Sequence, residues 1–491
     1  MVRLMSCLLF LGLISQVATA QDSIRDSVVK IHTSQRVPDP ERPWTKRNPQ
    51  EASGTGAIIE GKRIITNAHV VLYASRILVQ PNQSTERIPA TIEAIAPGMD
   101  LAILKLSNEA IFDSRPPLTF DEGLPKIKAT VNAYGFPVGG EQLSVTEGII
   151  SRVEYVSYRN SETGMRIQVD AALNPGNSGG PAIADGKIVG LVFSIIASAD
   201  NIGFLIPAEE IRMFMDDVRD GKYQGKPKLL DDMQTVENTA LRERLQLDAG
   251  TGGLMITKPF SSDAAYPFKE WDVITHIADT PIDNDGNVKI DNELRMSFRY
   301  LLPKVVHDNV VDLTLWRDGQ SVKVQVPVTY DNGYVIPFLS GEYPQHFICG
   351  PLVFSTAYQE LVAAIQMRGQ AAFAMRQSPL ISRWFDRKRF PDEELVLLGP
   401  RVIPSPLLEG YDNPAFAVVT HVNETEVRNL AHLVELIRKA EGKFLTLRLG
   451  GGFETMVLNR QELIDSTEEI LADEGIRNQM SPELEKIWNP N

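Results

Sequence analysis

The string Asn174-Pro175-Gly176-Asn177-Ser178-Gly179-Gly180-Pro181 sets a serine inside a glycine-rich turn. Glycines leave backbone N–H groups unobstructed, so several can converge beside one exposed hydroxyl, as a nucleophile with an oxyanion hole requires. Serine is a weak nucleophile unless a base takes its proton near neutral pH, a task suited to histidine. Residues 21–220 contain two histidines. His32 lies inside a strand pattern, whereas His69 ends Ile64-Ile65-Thr66-Asn67-Ala68-His69, where a strand gives way to a turn of small residues. The imidazole in turn needs a carboxylate to fix its tautomer and stabilise the imidazolium. Asp100, Asp113, Asp121 and Asp170 lie between His69 and Ser178. Asp100 is best placed, because it directly precedes the strand pattern Leu101–Leu106, whose pairing would hold it. Asp170, just ahead of the serine turn, comes second; Asp113 and Asp121 sit in a polar, proline-containing connection that holds a rotamer poorly.

These residues must be carried by a framework. From Ser27 to about Pro207 the chain alternates short apolar strands with turn signals such as Asp185-Gly186, which predicts an antiparallel barrel or sandwich rather than parallel crossover units. The proline-rich piece 37–50 is too polar for a core element and reads as a loop. A helix beginning after Pro207 shows Ile211, Phe214, Met215 and Val218 along one face and closes this region, with 221–228 as a linker. The whole chain has 491 residues, which at roughly 150 per domain suggests about three domains. Its second half repeats itself: Val273-Ile274-Thr275-His276-Ile277 returns 145 residues later as Val418-Val419-Thr420-His421-Val422, with the same order of following features, as expected of a duplicated module.

Composition narrows the function. With 49 Lys and Arg against 63 Asp and Glu, the net charge is −14 and no long basic run occurs, which argues against a nucleic-acid partner. No zinc or calcium ligand pattern is present, so neither a metal nor another cofactor is expected. Residues 1–20 combine Arg3, an apolar stretch through Leu8–Ile14 and the small-residue end Ala18-Thr19-Ala20, the pattern of a cleaved secretory signal. That stretch is shorter than a membrane span and no later segment approaches one, so a mature chain without a membrane anchor is expected. Removal of the signal takes Cys7 with it and leaves Cys349 without a disulfide partner; it reads as a core thiol.

Taken in order, Thr66–Val71 (TNAHVV), Asp100–Leu104 (DLAIL), Asn174–Pro181 (NPGNSGGP) and Gly203–Pro207 (GFLIP) resemble the HtrA/Deg family of trypsin-like serine endopeptidases, and the repeated second half resembles that family's two PDZ modules. The resemblance implies a mainly β fold: two six-stranded barrels at 21–220, PDZ-like modules at 229–328 and 346–458, and a helical tail at 459–491. It implies His69 as general base, Asp100 as its orienting partner, Ser178 as nucleophile, and the N–H groups of Gly176 and Ser178 as the oxyanion hole. Asn177 stands where digestive relatives carry an aspartate that pairs with a newly cut N-terminus, so activation by such a cut is not expected. Mobile loops at about 137–145, 155–166 and 194–202 would govern activity instead. Substrate would add as a strand to Leu191–Ile195, with Ser194, Ile195, Ile202 and Gly203 lining a pocket for small or medium aliphatic side chains; Asp200 is the residue that could oppose this.

The first module departs from the family pattern, since Trp271 replaces a glycine and Leu229–Leu245 lacks the usual carboxylate-binding loop. Capture of peptide C-termini there is in doubt, and assembly contacts are expected of the second module. The acidic tail reads as a solvated helical cap. The sequence therefore points to an exported, ATP-independent endopeptidase acting on unfolded or damaged proteins, periplasmic or otherwise extracytoplasmic, as a trimer or larger homo-oligomer. A chaperone or scaffold with a latent protease fold is the alternative. A small-molecule esterase is disfavoured, because Ser178 does not sit in a Gly-x-Ser-x-Gly elbow.

Overall fold

The computed structural model describes residues 24–158, 162–195, 203–291, 294–365, 377–399, 402–453 and 455–490. The chain forms two compact units, one comprising the described residues up to Gln35 with Gln50–Asn332, the other Arg36–Pro49 with Gly333 onward. Residues 1–20, the expected signal, lie outside the described residues. Among the described residues no helix is long and apolar enough to cross a membrane.

The first unit opens with two closed six-stranded antiparallel barrels. Strands β1 (Val28–Gln35), β2 (Gln50–Ile59), β3 (Arg63–Thr66), β4 (Ala74–Pro81), β5 (Ile88–Ala96) and β6 (Leu101–Leu106) pair in the order β1-β2-β3-β6-β5-β4. Strands β7 (Thr130–Gly135), β8 (Ser144–Ser157), β9 (Thr163–Asp170), β10 (Pro181–Ala184), β11 (Lys187–Ile195) and β12 (Gly203–Pro207) repeat that order six strands on. Closure removes the exposed sheet edges that strands this apolar would otherwise offer to aggregation. The signal at Asp185-Gly186 forms the hairpin between β10 and β11, both residues taking positive φ (49° and 77°) as a twist-matched two-residue turn demands. The helix after Pro207 runs Ala208–Asp217 and buries Ile211 and Phe214 against the barrels, while Val218 follows it into the same core. The expected linker is tethered: Lys226 pairs with the fully buried Glu210 at 2.5 Å, and Lys228 with Glu162 at 2.7 Å.

The duplication reaches into backbone detail. Strand 273–277 bulges at Thr275 against 310–317, and strand 418–422 bulges at Thr420 against 444–450. Thr275 Oγ1 donates to the carbonyl of Thr314 and Thr420 Oγ1 to that of Arg448. His276 and His421 each bond the threonine before them through Nδ1, at 3.0 and 3.2 Å, which fits hydrogen-bonded structural histidines. Trp271 and Phe416, 145 residues apart, both have positive φ, 76° and 62°. That left-handed backbone explains why glycine suits the position and why a tryptophan there carries strain.

In the second unit the acidic tail does not behave as a solvated cap. Leu463, Met480 and Leu484 are buried in the module's core, Met480 bridges Phe347 in antiparallel fashion, and Ser481 N–H donates to the carbonyl of His346. The apolar residues spaced between the charges decide this, and the surface charge count alone obscures it. The proline-rich segment is a loop as expected, folded back by a bridge between Pro38 and Lys46, yet its Trp44 packs beside Ile348, Ile403 and Ile476 of the same unit.

Candidate active site

His69 lies on a single helical turn, α1 (Ala68–Val71), immediately after β3. Asp100 lies immediately before β6, which pairs with β3, so one ladder positions both residues. The backbone of Asp100 is left-handed (φ 58°), a conformation aspartate tolerates, and its carbonyl accepts from Asn67 Nδ2 at 2.9 Å. Its carboxylate grips His69 twice. Oδ1 accepts the backbone N–H of His69 at 2.7 Å and Oδ2 meets Nδ1 at 2.6 Å. The aspartate side chain is 2% exposed and the imidazole 31%, so the acid is shielded while the far edge of the ring remains accessible. With a carboxylate at Nδ1 the proton resides there, leaving Nε2 as acceptor. Asp170, Asp113 and Asp121 make no hydrogen bond to His69 among the described residues, and His32 bonds Gln80 instead.

The serine turn is tied to the same strands through Thr55 on β2. Thr55 N–H donates to the carbonyl of Ser178 (2.9 Å), Thr55 Oγ1 donates to the carbonyl of Gly176 (2.8 Å) and accepts the N–H of Phe136 (2.9 Å), and Thr66 Oγ1 donates to the carbonyl of Thr55 (2.7 Å). Glycine is required where these segments close up. A Cβ on Gly179 would fall 2.2 Å from the Thr55 carbonyl and 2.3 Å from Thr66 Oγ1; one on Gly54 would strike Val70 at 2.7 Å and reach the Ser178 carbonyl at 3.3 Å. Ser178, Thr66 and the residues flanking His69 are thus packed around one point.

The N–H groups of the turn divide into two sets. Those of Asn177, Gly179 and Gly180 donate to the carbonyls of Asn174, Val192 and Asn177. Those of Gly176 and Ser178 have no acceptor among the described residues. The peptides that carry these two donors are held through their carbonyls, Pro175's accepting from Val138 N–H at 2.8 Å and Asn177's from Gly180 N–H at 2.9 Å, and residue 176 must be glycine, since its φ is +98° and a Cβ would meet the Phe136 carbonyl at 2.5 Å. Two free, fixed N–H groups flanking a serine can bind a developing oxyanion. The buried Asn177 packs against Gly135.

The expected specificity pocket is only partly within view. Ile202 and Asp200 lie outside the described residues; Ser194 and Ile195 belong to β11 and pair with Phe204 and Gly203. Gly203 is buried, and a side chain on it would run into Leu173, whose Cδ1 lies 2.3 Å from the position of a Cβ. Leu173, buried in the core of the second barrel, thus abuts Gly203, a contact that sequence reasoning missed. Its signal was faint: one leucine ahead of Asn174-Pro175, with no motif to mark it. Of the three loops expected to govern activity, 196–202 and 159–161 lie outside the described residues. No group of histidine, cysteine and acidic side chains suited to a metal occurs among the described residues.

Comparison with known proteins agrees with this architecture. Residues 54–191 match the trypsin-like peptidase domain family and residues 338–483 a PDZ domain family. The chain is 31% identical over 468 residues to the chloroplastic protease Do-like 2 of Arabidopsis thaliana, covering 94% of this chain and 76% of the relative. It is 33% identical over 450 residues to that plant's mitochondrial protease Do-like 4, covering 91% and 83%. Among solved structures, the HtrA-type protease AlgW with a tripeptide shares the fold at a TM-score of 0.50 and 23% identity, over 64% of this chain and 96% of that one. The two barrels, the PDZ architecture and the full-length likeness to the plant enzymes place the chain in the Do-like (HtrA/Deg) family of serine endopeptidases.

Proposed function

We propose that the chain hydrolyses peptide bonds in unfolded or damaged proteins through an acyl-enzyme on Ser178. The observation that carries this reading is the double grip of Asp100 on His69 beside a serine turn with two unspent N–H groups. His69 Nε2 takes the proton from Ser178 Oγ as the oxygen attacks the scissile carbonyl, and Asp100 stabilises the imidazolium. The N–H groups of Gly176 and Ser178 hold the oxyanion, His69 returns the proton to the leaving amine, and a water activated by the same ring releases the product. No step calls for a cofactor. Leu173 beside Gly203 favours an apolar side chain ahead of the cut, in line with the aliphatic preference expected from Ile195 and Ile202.

Export through residues 1–20 into an extracytoplasmic space, independence from ATP, and assembly into trimers or larger homo-oligomers complete the proposal. The plant relatives are named for chloroplast and mitochondrion, so cell fractionation with N-terminal sequencing decides the compartment for this chain. The activity is tested with reduced casein and the protein beginning at Gln21, alongside Ser178→Ala. Wild type should cut after aliphatic residues, and the variant should lose on the order of 10⁶ in turnover. Binding of casein without cleavage by either protein would instead support the latent chaperone alternative.

A further inference from the structure

On β1, Val29 and Ile31 fill the core of the first barrel, so Lys30 between them points out of it, toward the second barrel. Its side chain is 7% exposed, and the ammonium donates to the carbonyl of Gly140 at 2.8 Å and to Glu141 Oε1 at 3.1 Å. The Glu141 side chain is 71% exposed, so the ion pair recovers little of what desolvating the ammonium costs. An apolar side chain of similar size would be no less stable there, and stability therefore does not explain the lysine.

The carbonyl that Lys30 holds belongs to a segment lying against the serine turn. Lys30 faces Thr55 directly across the β1–β2 ladder. Thr55 Oγ1 accepts the N–H of Phe136 at the start of segment 136–141, and Lys30 takes its end at Gly140 and Glu141, so one cross-strand pair grips both ends. Between these anchors Gly140 N–H donates to the carbonyl of Pro137 at 3.0 Å, and Val138 N–H donates to the carbonyl of Pro175 at 2.8 Å. The Pro175 carbonyl and the Gly176 N–H belong to one planar peptide unit, so the position of Val138 sets the direction in which that N–H points.

We propose that Lys30 is a positioning residue for the oxyanion hole: through the Gly140 carbonyl it fixes segment 136–141, and through Val138 it fixes the Gly176 N–H. The proposal rests on the reading of Ser178 as nucleophile, with Gly176 and Ser178 binding the oxyanion. Without Lys30 the segment keeps only its Thr55 anchor, and the turn at 137–140 can shift and take the Pro175–Gly176 peptide with it. Outright loss of one oxyanion donor costs about 10²–10³ in kcat, so a donor that is only loosened should cost less, about tenfold.

The test compares Lys30→Met, Lys30→Gln and Lys30→Arg with wild type in the protein beginning at Gln21. Three readouts are taken: kcat and KM on a short chromogenic peptide; the affinity of a peptide aldehyde, whose hemiacetal with Ser178 sets an oxygen in the hole; and amide hydrogen exchange over residues 136–141. Lys30→Met and Lys30→Gln should lose about tenfold in kcat and in aldehyde affinity, with KM unchanged. Exchange in the segment should rise about tenfold in both. The melting temperature of Lys30→Met should be no lower than that of wild type, which a merely structural lysine would not allow. Lys30→Arg, whose guanidinium can donate to the same carbonyl, should stay within about threefold of wild type in kcat. Wild-type kcat and aldehyde affinity in Lys30→Met overturn the proposal, as does a change confined to KM, or a fall in kcat with exchange unchanged. If Lys30→Met fails to fold, Lys30→Gln decides by the same readouts. Exchange is read without turnover, so a wild type that neither cuts the peptide nor binds the aldehyde fails the serine-nucleophile reading, while exchange still decides whether Lys30 anchors the segment.

Discussion

Replacing Asp100 with asparagine offers the sharpest check on the site, because the two bonds of Asp100 force the outcome. The backbone N–H of His69 can only donate, and it needs the oxygen that Oδ1 now provides at 2.7 Å. In Asp100→Asn the amide oxygen must take that place, which turns the amide NH₂ toward Nδ1, where Oδ2 now sits at 2.6 Å. Nδ1 then has to accept, the ring proton moves to Nε2, and Nε2 can no longer take the proton of Ser178. The backbone is undisturbed, since asparagine tolerates the left-handed φ of 58° as aspartate does and the main-chain bond from Asn67 is kept. A wrong tautomer with intact geometry costs on the order of 10⁴ in kcat, or about 5.5 kcal/mol at about 1.36 kcal/mol per decade. Initial rates of casein or peptide hydrolysis measure the loss, with thermal unfolding to confirm the fold. Retention of activity within tenfold of wild type, at an unchanged melting temperature, would refute the assignment of Asp100 and return attention to Asp170.

Other perturbations follow from the same contacts. Thr55→Val keeps the shape of the side chain and removes the hydroxyl shared by the Gly176 carbonyl and the Phe136 N–H. It should destabilise the fold by about 1–3 kcal/mol and slow the acylation step more than it changes substrate binding, as read from pre-steady-state acylation kinetics. Gly203→Ala would push a methyl into Leu173 at 2.3 Å, so mass spectrometry of casein fragments should show cleavage shifting toward smaller side chains. Arg317→Ala strips the guanidinium from the buried Asp272, which it meets at 2.6 and 2.7 Å, and should cost about 3 kcal/mol or more in urea unfolding. Burial pushes the Cys349 thiol up to about 12, so in the folded protein beginning at Gln21 it should resist a disulfide reagent at pH 8 and react once denatured. In the unfolded chain the thiol ionises near 8.5, so its contribution to stability is intact below that pH and is lost as pH rises toward 12.

Much of this protein is legible along the chain. Strand alternation and the Asp185-Gly186 turn announce an antiparallel β framework, and the 145-residue echo announces duplicated modules. Ser178, His69 and Asp100 stand out because nucleophile, base and orienting acid each need a particular residue type in a particular local setting, and local settings are written in neighbouring residues. The rest depends on residues distant in sequence that only folding brings together. Thr55 carries no motif, yet it joins the serine turn to the strand before His69. Leu173, 30 residues ahead of Gly203, meets it only in the folded barrel. The acidic tail looked solvated because charge counts ignore where Leu463, Met480 and Leu484 point once the strand His346–Cys349 supplies an edge for them. Trp44 looked like part of a polar loop until a core that begins at Ile348, far along the chain, received it. Sequence determined the chemistry, because reactivity resides in side-chain types; tertiary structure decided which groups hold that chemistry in place, because support comes from contacts that loop closure makes possible at any separation along the chain.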